Sequence, residues 1–182
     1  LTHAGVWTDK TVALSHAKRL GNSDPTYEKI ADNGAGSAGV YATTFQAGFT
    51  QEVLFDDLQL PHSYSPGTDT KLHIHWMPST TGAGDIVFGA EYLVLNKGVA
   101  PTNTNVAEVT LPAPEEISEQ IDLIVTIDGT TLVESSLILC RFYRKGGDAA
   151  DTYAGDVRAL SIDLHFKQVK PGTAEEYPGS GT

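Results

Sequence analysis

The chain has 182 residues and a formal net charge of −11, from 12 basic and 23 acidic residues. This length suffices for one full-sized domain, and the apolar content of 40% is that of an ordered globular protein and excludes a disordered chain. The acidic excess argues against nucleic acid as the main partner, because phosphate binding needs a basic surface. No apolar run is long enough to cross a membrane, so no membrane partner is predicted.

Residues 1–40 are weakly patterned and predict an extended, loop-rich N-terminal arm. They carry five apolar side chains that have no evident core of their own: Trp7, Val12, Leu14, Leu20 and Ile30. Such an arm gains stability by laying these groups on another surface, so the five residues are predicted to form a protein-contact arm. The alternative is a solvated extension. At the other end, residues 171–182 predict a loose C-terminal tail.

Residues 41–170 contain about eight short runs with strand periodicity, separated by turn chemistry and accompanied by little helix. This pattern predicts one antiparallel β-sandwich of jelly-roll type. The two clearest runs alternate strictly, and their apolar positions are predicted core residues: Leu72, Ile74 and Trp76 in one, Leu160, Ile162, Leu164 and Phe166 in the other. Asp128-Gly129 predicts a tight hairpin leading into residues 130–133.

The polar face of the first run carries His73 and His75, which lie about 6–7 Å apart if the strand is regular. With Gly67 six positions earlier, this spacing resembles the opening of the cupin metal-binding motif, and His165 on another strand could supply a third nitrogen. The glutamate that a cupin site needs is missing, and so is the second cupin motif. A cupin-like metalloprotein therefore stays an alternative, and we predict no metal, no other cofactor and no catalytic residue.

Two further groups have ordinary structural interpretations. The single cysteine, Cys140, lies within an apolar run, which predicts a small core residue and excludes an intrachain disulfide. Asp148, Asp151 and Asp156 cluster in one glycine-bearing loop without the ligand order of a calcium-binding loop. A solvated loop is favoured there, with ion pairs to nearby arginines.

Four pieces of the chain carry a resemblance to a known family. They read, in order, LQLPHSY (58–64) with GTD (67–69), LHIHW (72–76), LILCR (137–141), and DTY (151–153) with LSIDLHF (160–166). Together they resemble a group of tailed-bacteriophage virion proteins with a jelly-roll-like β-domain. The resemblance implies a non-enzymatic structural role, as a capsid decoration (cement) protein that stabilises the head by protein–protein contacts.

The resemblance also implies the location and partners. The expected location is the phage particle surface, after synthesis in the host bacterial cytoplasm. The expected partners are the major capsid protein or other virion proteins, with assembly as a homo-oligomer, a dimer or a trimer. A head- or tail-fibre tip that binds a host receptor or glycan is the alternative role. Aromatic side chains predicted to lie exposed in loops would serve it: Trp7, Tyr64, Tyr143 and Tyr153.

Overall fold

The computed structural model describes residues 5–172, apart from the side chain of residue 57. The described chain forms ten strands and two short 3-10 turns, at Leu14–His16 and Gly129–Thr131, and it contains no α-helix. The strands are β1 (Val6–Ala13), β2 (Thr26–Ala31), β3 (Val40–Phe45), β4 (Thr50–Gln59), β5 (Thr70–Pro78), β6 (Asp85–Leu95), β7 (Asn105–Pro112), β8 (Gln120–Ile127), β9 (Leu137–Lys145) and β10 (Val157–Gln168).

The strands form two sheets, and every pairing between them is antiparallel. The six-stranded sheet has the order β2-β3-β10-β5-β8, and β1 also pairs with β10. The four-stranded sheet has the order β4-β9-β6-β7. The prediction of an all-β antiparallel sandwich of jelly-roll type is confirmed.

The core lies between the two sheets and is centred on Trp76. This side chain is 1% exposed, and its ring packs edge-on against Phe88 of the opposite sheet at 5.6 Å between centroids. Six of the seven predicted core residues are buried. Leu160 is only half-buried, because a β-bulge between Ala159 and Ser161 shifts the register of β10 against β5. The bulge gives the core position to Ala159, which is 1% exposed.

The N-terminal segment is largely built into the sandwich, so the predicted boundary at residue 40 is wrong. Strand β1 pairs along its whole length with β10, and β2 pairs with β3. Between these strands the chain crosses to the other sheet, where Lys18 and Leu54 exchange two backbone hydrogen bonds of 2.8 and 2.9 Å. Val12 and Leu14 belong to the core of this same chain, at 4% and 2% exposure. They are therefore unavailable to a contact arm.

Three other predicted arm residues have different surroundings. Trp7 and Leu20 are 47% and 52% exposed, and Ile30 of β2 is half-buried. The predicted tail 171–182 lies outside the described residues from residue 173 onward.

The hairpin predicted at Asp128-Gly129 does not form. Residues 129–131 make a 3-10 turn instead, and the Asp128 carboxylate accepts a hydrogen bond of 2.8 Å from the Thr130 amide. The Gly129 amide donates to Asp69 at 2.9 Å, and a side chain at position 129 would collide with the backbone of Thr68. Asp128 and Gly129 therefore lie in the connection from β8 in one sheet to β9 in the other. The long-range hydrogen bond to Asp69 outweighs the local preference of Asp-Gly for a two-residue hairpin turn.

The glycine-bearing loop after β9 is held by a buried ion pair. Arg144 and Asp151 are 0% and 1% exposed and form two hydrogen bonds of 2.9 and 2.7 Å. The remaining guanidinium hydrogens go to the carbonyls of Phe45, Gly155 and Tyr153, so all five donors of the arginine are used. An ion pair between the loop and a nearby arginine thus forms as predicted, but it is buried, so the predicted solvated loop is wrong for Asp151. Asp148 and Asp156 accept hydrogen bonds from the Ala150 and Ala47 amides.

Candidate binding face

The outer surface of the six-stranded sheet is the candidate site, because the structure assembles there Trp7 and the three histidines that the sequence singled out. Core positions on β1, β10, β5 and β8 alternate with outward positions. We call the outward group the histidine face. It consists of Trp7 and Asp9 from β1, Asp163, His165 and Lys167 from β10, Lys71, His73 and His75 from β5, and Glu119, Ile121 and Leu123 from residues 119–123.

His75 lies between two carboxylates at one end of this face. Its Nδ1 is 2.8 Å from Glu119 Oε1, and its Nε2 is 2.7 Å from Asp163 Oδ2. Partial burial of the ring acts to lower its pKa, but the two carboxylates outweigh this and raise the pKa above its usual value. His75 is therefore disposed to carry a positive charge that its two neighbours neutralise.

His73 and His165 stack at the centre of the face, with ring centroids 4.1 Å apart. Burial of His73 is the main cause of its lowered pKa, and the neighbouring His165 and Lys71 add to the effect. His165 Nε2 lies 3.5 Å from Asp9 and 3.9 Å from Asp163. The buried Asp163 carboxylate thus serves two histidines from the middle of the sheet.

Trp7 lies at the other end of the face and is its exposed aromatic residue. The Lys71 and Lys167 ammonium groups lie 5.2 and 5.4 Å from the centroid of its ring. These distances allow cation–π attraction. Ile121 and Leu123, on the opposite edge of the sheet, are 57% and 39% exposed. The face therefore has an apolar rim on both sides of a charged centre.

The three histidines of the metal hypothesis are brought together on one face, but their nitrogens do not converge. No group of three or more potential metal ligands occurs among residues 5–172. Both ring nitrogens of His75 already contact carboxylates, so a metal would have to displace at least one of them. The arrangement suits hydrogen bonding and charge pairing across the surface.

Three of the four aromatic residues predicted to lie exposed in loops are buried instead. Tyr64, Tyr143 and Tyr153 are exposed by 3% or less. The Tyr64 hydroxyl donates to the Thr68 carbonyl, and the Tyr153 hydroxyl donates to the Thr80 carbonyl at 2.6 Å. Tyr64 and Tyr153 thus tie loops to the sandwich, and the Tyr143 hydroxyl of β9 donates to Glu108 of β7 at 2.8 Å. Trp7 is left as the exposed member of the group.

Sequence reasoning missed the partners that complete the face. Lys71, Lys167 and Asp163 occupy outward positions of strands whose alternation was recognised, so their side of the sheet was predictable. The side chains beside them on other strands could not be predicted, because the pairing of β1 with β10 brings together residues that are distant in sequence. Trp7, for example, lies opposite Lys167.

Comparison with known proteins finds similarity in structure only. No protein-family model matches the chain, and no curated protein matches it significantly. The solved structures that resemble it include TmCBM61, a carbohydrate-binding module in complex with β-1,4-galactotriose, at a TM-score of 0.40 and 13% identity, covering 89% of this chain and 88% of that chain. A family 11 carbohydrate-binding module from Clostridium thermocellum has a TM-score of 0.36 and 15% identity, covering 90% and 91% of the two chains.

A chain of the infectious bursal disease virus Gx strain is also similar, at a TM-score of 0.40 and 12% identity. The alignment covers 92% of this chain but only 33% of the viral one, so this chain spans about a third of that protein. Similarities at this level concern the layout of a two-sheet sandwich.

Residues 5–172 include no helix long and apolar enough to span a membrane.

Proposed function

We propose that this chain is a non-enzymatic structural protein of a tailed-phage virion, a capsid decoration protein that contacts its partners through the histidine face. The observation that carries the proposal is the composition of that face. An exposed Trp7 and the exposed Ile121 and Leu123 flank a charged centre on a rigid sheet. Tryptophan is enriched among the residues that dominate protein–protein binding energy, and complementary charges supply specificity.

The sequence pieces behind the phage resemblance support a structural role. Several of their side chains hold the fold: the buried Trp76 donates from Nε1 to Asp122 at 2.8 Å, the exposed Asp69 accepts from the Gly129 amide at 2.9 Å, and the buried Asp151 side chain pairs with Arg144. These groups build a scaffold and are not aimed at a substrate. The same pieces also supply His73, His75, Asp163 and His165 to the histidine face.

The alternative role, a glycan-binding fibre tip, has weaker support. It rested on four aromatic residues, and three of them are committed to the interior. The face of the remaining indole, that of Trp7, has two ammonium groups beside it, which compete with the stacking of a neutral sugar ring.

Two experiments test the proposal. Gold-labelled antibodies against the chain are expected to mark the heads of purified phage particles. Absence from the particle refutes the virion assignment, and labelling of the fibre ends favours the alternative role.

The second experiment measures co-sedimentation of the purified chain with heads that lack it. Leu123→Ser on the histidine face is expected to reduce the bound fraction. Val99→Ser serves as the matched control, because Val99 is a 62% exposed residue in the loop between β6 and β7. Equal binding by the two variants places the contact elsewhere.

A further inference from the structure

We propose that Trp7, Lys71 and Lys167 form a recognition site for an acidic segment of the partner protein. The inference rests on the proposed function, because it names the chemistry of the partner that the histidine face contacts. We call these three residues the lysine–tryptophan site.

The charge pairing of the chain singles out this site. Among residues 5–172, the basic residues that lie within 4 Å of a carboxylate include Lys18, Lys29, Arg141, Arg144, Lys145, Arg158 and Lys170. Neither Lys71 nor Lys167 has a carboxylate within 4 Å among residues 5–172, although the chain has 23 acidic residues. Both instead lie beside the Trp7 ring. Two unneutralised ammonium groups on one exposed patch suit an anion from outside the chain.

The fold holds the two lysines in place for such a ligand. Trp7 lies opposite Lys167 in the pairing of β1 with β10, and Lys71 lies opposite His165 on the next strand. The two ammonium groups therefore come from neighbouring strands, β5 and β10, and meet at the ring of a residue on β1. The nearby Asp9 carboxylate is directed to His165 Nε2 at 3.5 Å and does not come within 4 Å of either ammonium.

The electrostatics favour an acidic ligand over a neutral one. Two like charges held near one ring repel each other, and a carboxylate placed between them relieves the repulsion while gaining attraction to both. The site is 47% exposed at Trp7, so these attractions act close to water and each is modest. A segment with several carboxylates is therefore the fitting ligand, since it can engage both lysines at once.

Nucleic acid, the other polyanion, fits poorly. The net charge of −11 opposes a long phosphate backbone beyond the immediate site, whereas a short acidic segment meets only the local positive charge.

The test uses the full chain and the fluorescence of Trp7. The chain has two tryptophans, and Trp76 is 1% exposed, so changes on binding report Trp7. Hexaglutamate is expected to bind with an affinity that falls as salt is added. The double variant Lys71→Gln/Lys167→Gln is expected to weaken binding about tenfold, from two exposed charge pairs. A control with the same charge change, Lys29→Gln/Lys145→Gln, is expected to change the affinity for hexaglutamate by less than about twofold.

In the fluorescence experiment, three results overturn the inference: no binding of hexaglutamate, an equal loss in the control variant, or tighter binding of oligogalacturonate, which assigns the site to acidic sugars. Co-sedimentation with heads separates this failure from failure of the proposed function. If the wild type and the lysine variant sediment equally with heads, the lysine–tryptophan site is refuted and the virion role stands. If hexaglutamate binds as expected but the chain is absent from particles, the site stands as an acidic-peptide site and the virion role fails.

Discussion

Replacing Asp151 with asparagine tests whether the buried ion pair holds the loop after β9. The substitution keeps the shape of the side chain but leaves the Arg144 guanidinium, which is 0% exposed, without its counter-charge. Removing one partner of a buried pair costs about 3–5 kcal/mol, because an uncompensated charge stays in the interior. The carbonyls of Phe45, Gly155 and Tyr153 still accept from the arginine and prevent its escape to water.

That cost is a large share of the total stability, since the free energy of unfolding of natural domains is about 5–15 kcal/mol. Equilibrium urea unfolding, followed by circular dichroism, measures it directly. The Asp151→Asn midpoint is expected to fall sharply at an unchanged slope. Arg144→Met is expected to be at least as harmful, because the buried Asp151 carboxylate loses its counter-charge and keeps only the hydrogen bond of 3.0 Å from the Val87 amide. The double variant is expected to cost less than the sum of the two, since the pair is coupled.

A surface ion pair provides the matched control. Lys18 and Asp56 are paired, but their side chains are 64% and 51% exposed. Asp56→Asn is therefore expected to cost less than about 1 kcal/mol. If Asp151→Asn destabilises the chain no more than Asp56→Asn does, the buried pair does not hold the loop and the reasoning fails.

Three further predictions concern the core, the N-terminus and pH. Ile162→Ala is expected to cost about 2–5 kcal/mol and Leu160→Ala clearly less, because the bulge removes only Leu160 from the core; equal losses in urea unfolding contradict the bulge. A chain beginning at Tyr41 is expected to fold poorly, since it lacks the strand that pairs with β10; a native-like thermal transition contradicts this. The raised pKa of His75 makes its ion pairs stabilise the fold most below pH 6.5 and progressively less as pH rises through the folded-state value. The stability lost in His75→Gln, measured by urea unfolding, should therefore be larger at pH 6 than at pH 8.5, and a pH-independent loss argues against charged pairs.

The sequence by itself determined the fold class and most of the core. Strand alternation is a local property, because successive side chains point to opposite sides whatever the strand pairs with. Leu72, Ile74 and Trp76 could therefore be assigned to the interior, and His73 and His75 to the opposite face, from their spacing alone. The same reasoning identified Cys140 as a core residue; its burial, at 2% exposure, raises the pKa of its thiol to about 12.

Only the tertiary structure decided which residues of different strands meet. Nothing local in the first 40 residues marks β1 as the partner of β10, because its outward positions are polar or aromatic and its single paired edge is supplied by a strand 150 residues away. The pairing of β5 with β10 likewise stacks His73 on His165, and the two pairings together place Lys71 and Lys167 at Trp7. The register of each strand depends on hydrogen bonds and packing contributed by the whole sheet, so it cannot be determined from a short stretch of sequence.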